Sequence, residues 1–276
     1  MVRMYPSLAR SYKGVFPFKL GTTSFIYPDD YIPNVKMLGP YLDEIELLLF
    51  ESLPADALPS KAVIKELSLL AREYDLTYNI HLPTDVSLSD TQPEKQQQAV
   101  NTILNVIDRI APLCPTGYCL HLPYSQNSSA PDTVKSWQRR VLKNLQKILT
   151  AGIAAESIAV ENLDYRFDLI DDILAELNLS VCLDIGHLIA NGNDLNALFN
   201  KYCDITSMIH LHGVKNGQDH LAMDKLPPKF REPVLAILKR FTASVSLEVF
   251  AFDDLKFSLE WLSKQSGTAG REVIAD

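Results

Sequence analysis

The chain has 276 residues, 47% hydrophobic and 22% charged, so it can bury one large core and is neither a disordered nor a fibrous chain. Asp and Glu outnumber Lys and Arg by 34 to 26, and a net charge of -8 disfavours a protein that binds nucleic-acid phosphates. The sequence contains no apolar run of the roughly 18 residues that a membrane span needs, and its four cysteines form no C-x-x-C pair, so we expect a cytoplasmic protein in a reducing compartment, without a membrane partner.

Eight short apolar runs alternate with segments of helical periodicity. The runs are residues 19–27, 44–52, 76–83, 117–124, 157–164, 180–188, 207–214 and 244–251. Between them, a segment from Ser60 to Tyr74 and another after Pro131 each place apolar residues on one helical face. Strands that alternate with helices are typical of parallel sheets, and eight such units predict a (β/α)8 TIM barrel.

An open, doubly wound α/β sheet is the competing architecture. Its Gly-rich dinucleotide-binding fingerprint is not found in this sequence, which has 11 glycines. We therefore expect residues 1–276 to form a single barrel domain, with residues 1–17 and 266–276 as terminal extensions.

All six histidines lie at or just after the carboxyl ends of predicted strands. They are His81, His121, His187, His210, His212 and His220. This end of a (β/α)8 barrel carries the active site. A single histidine on a strand is usually a core residue with one ring nitrogen satisfied, but six at the same end favour a shared site.

Three carboxylates share this pattern, because Glu161, Asp184 and Glu248 end the fifth, sixth and eighth runs among apolar neighbours. A buried carboxylate is costly without a cation, and these strands contain no Lys or Arg to supply one. Strand alternation directs small residues such as Cys119 and Cys182 into the same interior. Imidazole nitrogens and carboxylate oxygens together are suitable ligands for Zn, Mn or Fe. We expect no thiolate among these ligands, which disfavours a structural zinc site.

The number of candidate ligands, at least eight, exceeds the four or so that one ion needs, so we expect two or three divalent ions with Glu161 as a bridge. Paired ions activate a water and hold the oxygens of a phosphodiester during hydrolysis. A single-metal sugar isomerase, the alternative, moves a proton at carbon and needs only four ligands. Those four are Glu161, Asp184, His210 and Glu248. The alternative leaves His81, His121 and His220 without a role.

The order and spacing of these residues resemble the xylose isomerase-like TIM-barrel superfamily over residues 19–262. The residues that carry the resemblance are Glu161, Asp184 with His187 three residues later, His210 and Glu248. This superfamily includes endonuclease IV-type enzymes and sugar isomerases or epimerases, and its endonuclease IV-like members hold three zinc ions. The resemblance implies three ligand sets: His81, His121 and Glu161; Glu161, Asp184, His210 and Glu248; and His187 with His220. We expect Glu161 and Glu248 to be the catalytic residues.

Asp219 departs from the superfamily pattern, because it directly precedes His220 where the family has one residue between the two. Whether it is a metal ligand is therefore left open, and we group it with the candidate substrate-binding residues. That group consists of His212, Lys215, Arg166, Tyr27, Glu51 and Asp219.

Within the superfamily, the segments EIELLLFES, NIHLP, LDIGHL and HLHGVKNGQDH are most similar to the cobamide-remodelling phosphodiesterases. Such enzymes cleave the phosphate-to-ribose bond in the nucleotide loop of a B12-type corrinoid. The resemblance implies a small phosphodiester substrate, with a corrinoid as the best candidate. The remaining alternatives are a metal-dependent sugar or sugar-phosphate isomerase or epimerase, and a non-catalytic protein that binds a corrinoid or a metal.

Overall fold

Eight parallel strands close into a barrel in the computed structural model, which describes residues 5–50, 52, 58–124, 130–267 and 271–272. Each strand pairs with the next along the chain, and the last pairs with the first. The strands are β1 (Lys19–Thr23), β2 (Glu44–Leu48), β3 (Thr77–His81), β4 (Tyr118–Leu120), β5 (Ile158–Glu161), β6 (Ser180–Asp184), β7 (Thr206–Leu211) and β8 (Ser244–Leu247). The predicted (β/α)8 barrel is confirmed.

Helices surround the barrel. They are α1 (Tyr31–Leu38), α2 (Lys61–Tyr74), α3 (Pro93–Ile110), α4 (Pro131–Thr150), α5 (Asp171–Leu177), α6 (Ile185–Ala190), α7 (Leu195–Tyr202), α8 (Pro228–Arg240) and α9 (Phe252–Ser266). Ser60 caps α2, because its hydroxyl accepts a hydrogen bond from the backbone N–H of Val63. Helix α4 begins at Pro131 and buries Trp137 and Val141 against the barrel. Both helices predicted from the sequence are therefore present.

Strand alternation separates two apolar regions. The large aliphatic residues of the strands, such as Val160 and Leu183, point outward and form the main core with the helices. A second buried cluster fills the barrel interior and consists of Cys119, Ala159, Cys182 and Met208. Because this interior layer is made of mostly small side chains, polar groups at the strand ends can converge above it.

The sixth predicted run is only partly a strand. Its pattern predicts an extended segment over residues 180–188, but β6 ends at Asp184 and α6 begins at Ile185. The carboxylate of Asp184 accepts a hydrogen bond of 2.6 Å from the backbone N–H of His187, which makes Asp184 the N-cap of this helix. As a result, His187 lies in the first turn of a helix rather than beside a strand.

The seventh predicted run, residues 207–214, continues past β7 into a hairpin of strands Gly213–Lys215 and Gln218–Leu221. Its turn is formed by Asn216 and Gly217, which both have positive φ angles, of 55° and 78°. Asn-Gly is a favoured pair for such a two-residue turn. The hairpin returns the chain toward the barrel, which brings His220 back to the strand ends.

The two terminal segments are in contact with each other. Strand Arg10–Ser11 pairs antiparallel with strand Arg271–Glu272, and Leu8 and Tyr12 are buried. In the described part of the chain, no helix combines the length and the apolar character needed to cross a bilayer.

Candidate metal centre

Glu161 is the last residue of β5 and is 1% exposed. Its carboxylate lies among the side chains at the carboxyl ends of the barrel strands. Its Oε2 atom is 2.9 Å from Nε2 of His121 and 3.4 Å from Nε2 of His81. The three residues lie at the ends of consecutive strands: His81 ends β3, His121 directly follows β4, and Glu161 ends β5. They form a first group whose ligand atoms all lie within 4.8 Å of one another.

A second group shares Glu161 and adds residues from β6, β7 and the end of β8. Its members are Glu161, Asp184, His210 and Glu248, again with ligand atoms within 4.8 Å of one another. Nδ1 of His210 is 3.3 Å from Oε2 of Glu248 and 3.6 Å from Oε2 of Glu161. Since Glu161 belongs to both groups, its carboxylate is in a position to bridge two ions.

A third group contains His187, His212 and His220. Nδ1 of His187 also lies 3.2 Å from Oε1 of Glu161, which links this group to the other two. His212 was expected to bind the substrate, but the structure buries it completely and places its Nε2 atom 3.2 Å from Oδ1 of Asp184. Asp219 is exposed and is not part of the group.

The residues present fit divalent metal ions. Several buried polar atoms at this end of the barrel have no hydrogen-bond partner among the described residues: Nδ1 of His187, both ring nitrogens of His210, and Oε2 of Glu248. Buried polar groups without a partner are rare in native proteins. Imidazole nitrogens and carboxylate oxygens that converge in this way are suitable ligands for Zn, Mn or Fe.

The electrostatics of the centre show how strongly these charges interact. Burial alone would raise the pKa of Glu161, but the adjacent His121 and His210 hold the pKa of this carboxyl well below its usual range. Burial likewise opposes ionisation of Asp184, yet His212 lowers the pKa of Asp184 to about 2. Although burial disfavours its charged form, His187 has a pKa raised to about 10 by Glu161 and Asp184. Glu161 and Asp184 are therefore ionised and able to bind a cation.

Two buried glutamates on β2 were not predicted from the sequence, where only Glu51 was singled out in this run. Glu44 and Glu46 are both completely buried and point into the barrel. The alternation of Glu with apolar residues in EIELL is the signal that could have identified them. Oε1 of Glu46 lies 3.0 Å from Nε2 of His210, so Glu46 contacts a member of the second group.

Two cysteines lie next to the centre, on the inward face that strand alternation predicted for them. Sγ of Cys119 donates a hydrogen bond of 3.0 Å to Oε2 of Glu161, and Cys182 belongs to the same buried layer. The reason is strand alternation, since Cys119 lies two residues before His121 and shares its inward face. Burial raises the pKa of both thiols, so they are neutral hydrogen-bonding groups rather than thiolates.

The other candidate substrate-binding residues are not members of the three groups. Tyr27 is buried, and its hydroxyl donates a hydrogen bond of 2.6 Å to the carbonyl of Pro6. Arg166 is exposed and forms an ion pair of 2.6 Å with Asp168. Lys215 is exposed on the hairpin. The predicted Glu51 lies outside the described residues.

A closed (β/α)8 barrel with imidazole and carboxylate groups gathered at its carboxyl end has the layout of a barrel enzyme with a divalent-metal site. The family comparison agrees. The family described as xylose isomerase-like TIM barrel matches residues 34–265, and the chain belongs to that family. The comparison with curated proteins gives no significant match.

Solved structures share the fold over nearly the whole chain. A D-tagatose 3-epimerase-like protein is 21% identical, with a TM-score of 0.75, covering 91% of this chain and 97% of its own. The 3-keto-D-glucoside 4-epimerase from E. coli is 14% identical, with a TM-score of 0.69 and coverage of 90% and 99%. Endonuclease IV from Thermus thermophilus is 19% identical, with a TM-score of 0.65 and coverage of 89% and 99%. The fold is thus shared by proteins named as epimerases and by one named as an endonuclease.

Proposed function

We propose that the chain is a metal-dependent phosphodiesterase that hydrolyses a small, nucleotide-containing substrate with two or three bound divalent ions. The observation that carries this proposal is the approach of His81 and His121 to the same oxygen of Glu161, at 3.4 and 2.9 Å. A single-metal reaction at carbon has no use for these two histidines. A multinuclear site requires them, because they complete the ligands of a separate ion.

Paired ions, when bound, lower the pKa of a water and stabilise the attacking and leaving oxygens of a phosphodiester. Glu161 and Glu248 are the proposed catalytic residues, since Glu161 belongs to both the first and the second group and Glu248 is 3% exposed at the barrel mouth. Asp184 and His210 would complete the second ion's ligands. The third ion would be held by His187 and His220, as the resemblance implies, because Nδ1 of His212 accepts a hydrogen bond of 2.8 Å from the backbone N–H of His220.

The proposed substrate is a cobamide, cleaved at the phosphate-to-ribose bond of its nucleotide loop. The resemblance of the strand-end segments carries this choice. Two exposed aromatic rings add support for a substrate with a planar base: Phe25 and Phe250, which are 40% and 41% exposed, follow the neighbouring strands β1 and β8. The ring of Phe250 lies 5.2 Å from that of His220, so a base stacked on it would lie beside the metal centre. Lys215 and Arg166 are candidate cations for the phosphate.

The experiment is to strip the protein of metal, reload it with Zn, Mn or Fe, and incubate it with adenosylcobalamin and with a chromogenic phosphodiester. We expect α-ribazole and cobinamide phosphate from the corrinoid. Cleavage of the chromogenic ester without any corrinoid product would overturn the proposed cobamide substrate but not the proposed phosphodiesterase activity. No hydrolysis of either compound with any metal would overturn the proposed function.

A sugar epimerase or isomerase is the second candidate, and one observation favours it. The group of Glu161, Asp184, His210 and Glu248 is sufficient for one ion, and two of the structural neighbours are named as epimerases. The substitutions His81→Ala and His121→Ala separate the two functions. An epimerase keeps its activity in these variants, whereas the proposed phosphodiesterase loses one ion and about 10²-fold or more of its rate, because each ion contributes several kcal/mol to the transition state.

A further inference from the structure

Two glutamates on β2 share one inward face but have different surroundings. Glu44 accepts hydrogen bonds from Thr77 Oγ1 at 2.8 Å, Asn79 Nδ2 at 2.8 Å and Thr116 Oγ1 at 2.7 Å. Glu46 is equally buried, yet neither of its carboxylate oxygens has an aligned hydrogen-bond donor within the described part of the chain. Glu44 is therefore fully satisfied by the barrel itself, whereas Glu46 is not.

The close contact of Glu46 is with a ring of the candidate metal centre. Oε1 of Glu46 lies 3.0 Å from Nε2 of His210, and both side chains are completely buried. A buried carboxylate without a proton donor or cation would be strongly destabilising, which makes His210 its principal partner.

The opposite nitrogen of the same ring faces the proposed metal ligands. Nδ1 of His210 lies 3.3 Å from Oε2 of Glu248 and 3.6 Å from Oε2 of Glu161. The imidazole thus lies between the carboxylate of Glu46 and two candidate metal-binding carboxylates. Only one nitrogen of a neutral imidazole carries a proton, and that proton decides which nitrogen can bind a metal.

We propose that Glu46 is a positioning residue that accepts the Nε2 proton of His210 and thereby directs the unprotonated Nδ1 atom toward the ion shared with Glu161 and Glu248. Metal-binding histidines usually donate their other N–H to a carboxylate or a carbonyl, and loss of such a partner commonly weakens metal affinity about 10–100-fold. This inference rests on the metal-binding role proposed for His210 and is independent of the substrate.

Three variants test the inference, with Mn²⁺ or Zn²⁺ affinity measured by competition with a chromophoric chelator. Glu46→Leu keeps much of the side-chain volume but removes the acceptor, and we expect affinity to fall about 10–100-fold. Glu46→Gln keeps a carbonyl acceptor and should retain affinity close to that of the wild type. Glu44→Gln is the matched control: it perturbs a buried glutamate two residues away, and it should lower stability while leaving metal affinity unchanged.

A spectroscopic measurement on the wild type keeps the test independent of whether the variants fold. In the metal-loaded protein labelled with ¹⁵N-histidine, the Nε2 atom of His210 should carry the proton and its Nδ1 atom should not. A bare Nε2 atom would overturn the inference, as would wild-type affinity in Glu46→Leu or an equal loss in Glu46→Gln and Glu46→Leu. If the wild type itself binds no ion, the proposed function fails instead, so the two failures are distinguishable.

Discussion

Both polar atoms of the Asn162 side chain hydrogen-bond to the backbone of Asp184. Nδ2 of Asn162 donates to the Asp184 carbonyl at 3.0 Å, and its Oδ1 accepts from the Asp184 N–H at 2.7 Å. Because Asn162 directly follows Glu161, the two contacts tie the end of β5 to the end of β6. The positions of two proposed metal ligands are thereby fixed relative to each other.

Asn162→Ala should therefore weaken both the fold and the centre. It leaves a buried N–H and a buried carbonyl without their partners, and each such group costs about 1–3 kcal/mol. We expect a lower free energy of unfolding in urea and weaker metal binding. Asn191→Ala is the control, since Asn191 is exposed and its amide makes only a 3.5 Å contact with the carbonyl of Leu163. Equal stability of Asn162→Ala and the wild type would contradict this prediction.

Gly186→Ala should remove the third ion selectively. A Cβ atom at Gly186 would lie 2.0 Å from Cε1 of His212, a distance that real side chains do not adopt, so the imidazole must move. Its displacement would break the hydrogen bond that Nδ1 of His212 accepts from the backbone N–H of His220, and would thereby move His220 while leaving the first group intact. We expect one ion fewer per chain by elemental analysis.

The matched control for this substitution is Gly117→Ala, because a Cβ atom there meets its nearest neighbours at an ordinary 3.5 Å. It should keep the full metal content. An unchanged metal content in both variants would show that the group of His187, His212 and His220 binds no ion.

The stability of the metal-free protein should fall at alkaline pH, partly through His187. Burial opposes its charge, but Glu161 and Asp184 raise its pKa to about 10, above the ordinary 6.5. Since the folded pKa is the higher one, the stabilisation is complete below about pH 6.5 and is lost as the pH rises toward 10. Urea unfolding across this range should show a smaller decrease in His187→Gln than in the wild type. Identical pH profiles would contradict the assigned ion pairs.

Cysteine reactivity should divide the four thiols into two pairs. Cys119 and Cys182 are buried inside the barrel, whereas Cys114 is exposed and Cys203 is partly exposed. A chromogenic disulfide reagent should therefore titrate two thiols in the native protein and four in denaturant. The double variant Cys114→Ser/Cys203→Ser should give no native reaction. Rapid reaction of that variant would show that Cys119 and Cys182, in the buried cluster inside the barrel, are accessible to solvent.

The sequence predicted the barrel because eight apolar runs alternate with helices, a pattern that depends on local periodicity alone. It also predicted the meeting of Glu161 with His81 and His121, since the carboxyl ends of barrel strands converge. Two features of the site depend on tertiary contacts, which cannot be predicted from the periodicity of the sequence. The capping of α6 by Asp184 turned four residues of a predicted strand into a helix, and the turn at Asn216 returned His220 to the mouth.

The contact of His212 with Asp184 was not predicted, for a similar reason. Its position after β7 indicated only that it could reach the barrel mouth, whereas its contact with Asp184 depends on the packing of α6 against β7 and the hairpin. Glu46 was overlooked for a different reason. Its run has the composition of an apolar strand, although the alternating glutamates point inward like the candidate metal ligands on the other strands.

X-ray diffraction from metal-soaked crystals, collected on both sides of the metal's absorption edge, tests the central claim of a multinuclear centre most directly. We predict separate anomalous peaks next to His121 and next to His210, on opposite sides of the Glu161 carboxylate. A further peak is expected beside His187. A single peak beside His210, with none near His121, would contradict the account and would favour a single-metal isomerase or epimerase.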